Sequence, residues 1–181
     1  MNSFFESGFN FEFSDDWNVI KYDDHRFYKV LSGQDMSGVD FAGLYNHESL
    51  FLIEIKNFKQ YQTNGTQKPL DEFINDVVEK GTDSLRLIRV IKKHLDRKFW
   101  YKILFNLINR FSWINSEWFL WTEFYRIATI EKKAVFVLLI DSDYDQEKIE
   151  SRLQEELLTL YDRVIVSSIA GDHLIKGLIV S

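Results

Sequence analysis

The stretch SGVDFAGLYNHESLFLIEIKNF, residues 37–58, decides the fold. Residues 39–45 are apolar around a single acid, and residues 50–58 are rich in Ile and Phe, so both runs have strand composition. Between them Asn46-His47-Glu48-Ser49 is polar and reads as a turn, which makes the pair a β-hairpin. With the turn centred near His47, Asp40 stands directly opposite Glu54. Directly opposed residues share one face, with Cβ atoms about 5 Å apart. Lys56 follows Glu54 by two residues and joins that face. Val39, Phe41, Ile53 and Ile55 are expected on the other face, turned into a core.

Two acids and a lysine gathered on an apolar-backed strand pair suit phosphodiester hydrolysis. Mg²⁺ takes oxygen ligands and keeps several waters. Asp40, Glu54 and the backbone carbonyl of Ile55 would supply such ligands. Lys56 would orient or deprotonate a water, or stabilise developing charge. Crowding two carboxylates raises their pKa values. The plainer reading is a charged strand edge that merely keeps the surface wet. The shared face, the apolar flanks and a helix following at the right place favour a site.

On Asp40 and Glu54-Ile55-Lys56, set in the order helix, hairpin, helix, further strands, the chain resembles the PD-(D/E)XK (restriction endonuclease-like) superfamily. Val39 stands where the family's name has Pro. No Gln-x-x-x-Tyr sequence follows, so the RecB-like subgroup is not indicated. The resemblance implies a restriction endonuclease-like core and a nuclease whose catalytic residues are Asp40, Glu54 and Lys56. It implies Mg²⁺ at Asp40, Glu54 and Ile55, with Mn²⁺ expected to substitute, and a nucleic-acid substrate, DNA favoured over RNA. An acid from the first helix often assists in the family, which singles out Asp23 and Asp24. The helix after the Glu-x-Lys lies near the site in the family.

Outward from the hairpin, residues 9–13 alternate Phe with polar residues, a period-two strand pattern, and residues 17–22 suggest another short strand. Asp23 and Asp24 read as a helix start, with Phe27, Val30 and Leu31 on its apolar face. Pro69 fits the first turn of a helix. Phe73, Ile74, Val77 and Val78 follow at helical spacing. Gly81 is expected to interrupt, and Thr82 to cap a second stretch with the stripe Leu85, Ile88, Ile91 and Leu95. Residues 99–111 read as helix, while 113–130 leave helix and strand open. Residues 134–140 (AVFVLLI) read as a buried strand. Residues 146–161 form a helix, 163–169 a strand, and 174–180 a candidate strand. The expectation is one α/β domain over 1–181 with a mixed central sheet. Within it, 99–130 is an aromatic-rich insertion or interface segment.

The net charge of −6 argues against a uniformly basic nucleic-acid binder, but the charge is segregated. Between positions 86 and 110 stand Arg86, Arg89, Lys92, Lys93, Arg97, Lys98, Lys102 and Arg110 against one acid, Asp96. Arg86, Arg89, Lys93 and Arg97 fall on one helical stripe suited to a phosphate backbone. Its plainer reading is a solvated helix face. Sixteen Phe and five Trp exceed what a minimal core needs, so a homodimer through the aromatic segment is a candidate. With no cysteine, disulfides and thiolate sites are excluded.

Asp141-Ser142-Asp143-Tyr144-Asp145 opens like an EF-hand, but Gln146 and Arg152 occupy the positions that need Gly and Glu. His25, His47, His94 and His173 have no metal-ligand spacing. No leader or apolar span is read, so a cytoplasmic protein with no membrane contact is expected. Two rivals stand beside the nuclease. One is a catalytically inactive member of the same fold, binding nucleic acid or serving as a scaffold. The other is an unrelated protein-interaction domain, in which Asp40 and Glu54 would not meet.

Overall fold

A computed structural model describes residues 2–25, 36–58, 69–97, 117–142, 144–169 and 175–181, with backbone only at 117 and 118. The elements are β1 (Asn2–Glu6), β2 (Phe9–Phe13), β3 (Trp17–Lys21), β4 (Phe41–Tyr45), β5 (Ser49–Asn57), α1 (Leu70–Arg97), α2 (Glu117–Tyr125), β6 (Ala134–Asp141), α3 (Gln146–Leu157), β7 (Arg163–Ser168) and β8 (Leu178–Val180). A π-helical turn, Arg126–Glu131, continues α2. The five-stranded sheet runs β3-β4-β5-β6-β7. The β3–β4 and β4–β5 pairs are antiparallel, and β5–β6 and β6–β7 are parallel, so the sheet is mixed. A second, antiparallel sheet has the order β1-β2-β8.

Strand alternation divides the core in two. Phe41, Phe51, Ile53, Ile55, Val135, Val137 and Leu139 pack with Phe11, Phe13 and Leu178 of the small sheet. Ala42, Leu44, Leu50, Leu52, Phe136, Leu138 and Ile140 pack with the helices. Both faces of β6 are therefore covered, which is why its sequence is apolar without interruption. Part of the aromatic excess is explained here. Phe4, Phe11, Phe13, Trp17, Tyr45, Phe41 and Phe51 form a chain of ring contacts with centroids 5.0–6.0 Å apart. The small sheet is thus fastened to the large one by edge-on and tilted aromatic pairs.

Several expectations are corrected. Gly81 does not interrupt: α1 is one helix of 28 residues. A Cβ at Gly81 would lie 3.2 Å from Phe136 Cε2 and 3.5 Å from Leu157 Cδ1, so the glycine marks a close packing point. The Tyr161 hydroxyl donates to the Gly81 carbonyl at 2.6 Å. α3 ends at Leu157, four residues early, because Tyr161 turns inward to make that bond. Residues 113–130, left open between helix and strand, are helical from Glu117 onward. The last strand shrinks to Leu178–Val180 and joins the small sheet rather than the large one. β1 was not expected at all. Asp23 and Asp24 lie in a turn after β3, and the helix read from them falls outside the described residues. So do the reading of 99–111, Lys98, Lys102, Arg110, Asp143 and His173. Asp145 caps α3, its side chain accepting from Glu147 N and Lys148 N. No helix among the described residues is long and apolar enough to cross a membrane.

Candidate active site

The hairpin register runs from Tyr45↔Ser49 to Phe41↔Ile53. Continued, it would set Asp40 against Glu54 and Val39 against Ile55. The ladder stops first, for a reason visible on α1. Two buried polar residues, Asp83 and Ser84, take the backbone donors of the preceding segment. Ser37 N donates to Asp83 Oδ2 at 3.0 Å, and Val39 N donates to Ser84 Oγ at 3.0 Å. Val39 therefore packs with the helices and not, as expected, beside Phe41 and Ile53. The Asp40 carbonyl accepts from Tyr22 N at 2.7 Å. Its carboxylate then fills the vacated ladder position: Ile55 N donates to Asp40 Oδ2 at 2.7 Å. The N–H and C=O of one strand residue leave on the same side. The Ile55 carbonyl thus faces the space that Val39 has left.

Glu54 follows Leu50 and Leu52 on the helix side of β5 and is fully buried. Its Oε1 accepts from two ammonium groups, Lys56 Nζ at 2.8 Å and Lys80 Nζ at 2.7 Å. Its Oε2 is buried without a hydrogen-bond partner. Asp40, Glu54, Ile55, Lys56, Asn57, Phe58, Lys80 and Ser7 line one cleft of about 290 Å³. Ser7 arrives on the β1–β2 turn, where the Asn57 amide donates to its carbonyl at 2.8 Å.

The electrostatics single out Asp40. Burial, then the negative charge of Glu54, raises its carboxyl to about 7, against the pull of Lys80 and the Ile55 N–H. Glu6 adds to the rise. Glu6 is itself held by Lys21 at 2.7 Å. The family-derived accessory acids lie elsewhere. Asp24 is 3.6 Å from Lys21, Asp23 is raised by burial, and neither lines the cleft. Glu6, not Asp23 or Asp24, is the further acid whose charge reaches Asp40.

Arg86, Arg89, Lys93 and Arg97 form one exposed stripe on α1. At 3.6 residues per turn they lie roughly 100–180° around the helix from Lys80. The stripe therefore looks outward, away from the cleft. Among the histidines, His25 packs edge-on to Trp121 at 5.1 Å, His47 sits in the hairpin turn with φ 58°, and His94 is exposed. No group of three or more His, Cys, Asp or Glu able to hold a metal occurs among the described residues. The cleft does offer the unpartnered Glu54 Oε2, the Asp40 carboxylate and the Ile55 carbonyl. That donor set fits Mg²⁺, which is content with one or two carboxylates and several waters.

Lys80, Ser7 and Glu6 escaped the sequence reading. For Lys80 a signal exists. Phe73, Val77, Lys80, Ser84, Leu87 and Ile91 recur at alternating spacings of four and three, one side of a helix. All but Lys80 are buried. A lysine inside such a stripe asks for a buried anion. Ser7 and Glu6 come from a strand that the pattern did not reveal, and their contact with the site is tertiary. No protein-family model matches the chain, and no curated protein or solved structure is significantly similar to it.

Proposed function

We propose that the chain is a metal-dependent nuclease of PD-(D/E)XK type that hydrolyses phosphodiesters, DNA before RNA. One observation carries this reading: Asp40, Glu54 and Lys56 converge on a single cleft, where the buried Glu54 keeps an oxygen without a partner. The element order around the hairpin is compatible with the family pattern. Asp40, Glu54 and the Ile55 carbonyl would hold Mg²⁺ or Mn²⁺. Such an ion, when bound, polarises the phosphate and lowers the pKa of water. The chain's own residues do the rest. The Ile55 N–H and the α1 side chains Asp83 and Ser84 fix Asp40. Lys56 orients the attacking water or meets the charge that develops on the phosphate. Within the aromatic segment 99–130, Trp121, Phe124 and Ile127 are buried in the chain's own core and 99–116 lie outside the described residues, so the proposed homodimer contact falls to the remainder, and the outward stripe of α1 is the proposed secondary contact for nucleic acid.

The test is cleavage of plasmid, single-stranded DNA and RNA with Mg²⁺ or Mn²⁺, wild type beside Asp40→Ala and Lys56→Ala. Metal-dependent cleavage should fall by about 10²-fold or more in each variant. A second reading is an inactive nuclease fold that binds nucleic acid. The pairing of Glu54 with two lysines favours it, because such a cluster is neutralised internally. A folded wild type that neither cleaves nor binds Mn²⁺ would decide for it. Against an unrelated interaction domain speaks the shared lining of one cleft by Asp40 and Glu54.

A further inference from the structure

The cleft balances two carboxylates, Asp40 and Glu54, with two ammonium groups, Lys56 and Lys80. The balance is unevenly distributed. Both lysines bind the same oxygen, Glu54 Oε1, and the other oxygen has no hydrogen-bond partner. Two like charges therefore crowd one acceptor, although each could serve a separate anion. The two lysines are not equivalent. Lys56 belongs to the same strand as Glu54, and its backbone is locked opposite Ile140 of β6. Lys80 reaches in from α1, and the two side chains are about equally exposed at the cleft wall (28% and 26%).

A divalent cation seated between Asp40 and Glu54 would meet both ammonium groups at close range. Like-charge repulsion would then displace one of them; on the nuclease reading Lys56 already serves the water or the developing charge, so Lys80 is the one assigned to leave. At the open cleft a phosphodiester oxygen offers a displaced ammonium an anionic partner. Conversely, a phosphodiester approaching the cleft without the cation faces two carboxylates. Each ligand removes the obstacle to the other.

We propose that Lys80 is a phosphate ligand parked on Glu54, released when a cation enters and transferred to a phosphate oxygen of the nucleic acid. Cation and phosphodiester then load together, and by linkage the coupling is reciprocal. This assignment rests on the nuclease reading above and deepens it.

The experiment measures the Mn²⁺ dissociation constant by titration calorimetry, without and with a phosphorothioate-backbone 12-base-pair DNA duplex. Wild type, Lys80→Met and Lys80→Arg are compared as full chains. In wild type the duplex should tighten Mn²⁺ binding by roughly tenfold, within the usual range of coupling between sites. Lys80→Met should bind Mn²⁺ more tightly than wild type when no DNA is present, and should lose the enhancement. Lys80→Arg should keep it. Weaker Mn²⁺ binding by Lys80→Met, or an enhancement that survives the substitution, overturns the assignment. Should Lys80→Met fail to fold, wild type decides alone, since Mn²⁺ binding without enhancement also overturns it. That last result leaves the nuclease reading standing. A wild type that binds no Mn²⁺ with or without DNA removes both.

Discussion

Asp40 serves two strands at once: its carbonyl takes the Tyr22 N–H and its carboxylate takes the Ile55 N–H. The cost of that position is a carboxyl raised to about 7 by burial and by Glu54. In the unfolded chain it titrates near its ordinary value of about 3.9. The folded state thus holds a proton that the unfolded state has lost across that interval. The stabilisation by the protonated form is complete below about pH 4 and disappears as pH rises through about 7. Asp40→Asn keeps an acceptor for Ile55 and never ionises. It is expected to leave the melting temperature unchanged near pH 4 and raise it by about 3 °C or more at pH 8, measured without divalent ions. An equal shift at both pH values would remove the burial argument. Asp40, Glu54 and Lys56 were legible in the sequence because a short polar turn fixes the hairpin register. Val39 was misplaced because its partner, Ser84, is remote in sequence, and no local pattern announces that bond.

Among the elements, α1 departs most from its reading. Intrinsic propensity sets Gly about 1 kcal/mol below Ala in a helix, so a break at Gly81 was the local expectation. Packing overrides it: β6, α3 and Tyr161 close around the position, and a Cβ there would press on Phe136 at 3.2 Å unless the ring gave way. Gly81→Val should destabilise the chain by about 1–3 kcal/mol through overpacking. Urea denaturation would check this, and a neutral result would mean that Phe136 has room to move. The continuity of α1 also matters for the site. Lys80, Asp83 and Ser84 sit on one turn on either side of Gly81. A helix broken there would separate the lysine that holds Glu54 from the two residues that set Asp40. The hairpin and β6 were readable because apolar runs and turns are local. The pairing of β2 with β8 was not, because Phe11 meets Val180 across almost the whole chain.

Across the whole molecule, charge and site are separated. The cleft lies where β5 emerges beyond β4, between the β1–β2 turn and α1. The stripe Arg86, Arg89, Lys93 and Arg97 looks outward and climbs away from it. From Lys80 to Arg97 the helix rises about 25 Å. On the nuclease reading proposed above, a short oligonucleotide would fill the cleft without reaching the stripe, whereas a long duplex would bend across both. Replacing Arg86 and Arg89 with Ala is expected to leave the binding of a four-nucleotide strand unchanged. For a 30-base-pair duplex the log–log salt slope should fall by about 1 for each arginine removed. Fluorescence anisotropy over a salt series separates the cases, and an unchanged slope on the long duplex would return the stripe to a solvated face. The mixed sheet was foreseen from the order of elements. The second sheet was not, since its three short strands gain their meaning only from the aromatic contacts that bind them to the first.

The substitution of a carboxylate for a neighbouring strand at Ile55 has one more consequence. The amides on that edge of β5 from Ser49 to Ile53 face the β4 backbone. The Ile55 amide proton instead faces a titratable side chain inside the cleft. Its resonance in a two-dimensional amide spectrum is therefore a built-in sensor of the protonation of Asp40, read without a substrate or a turnover.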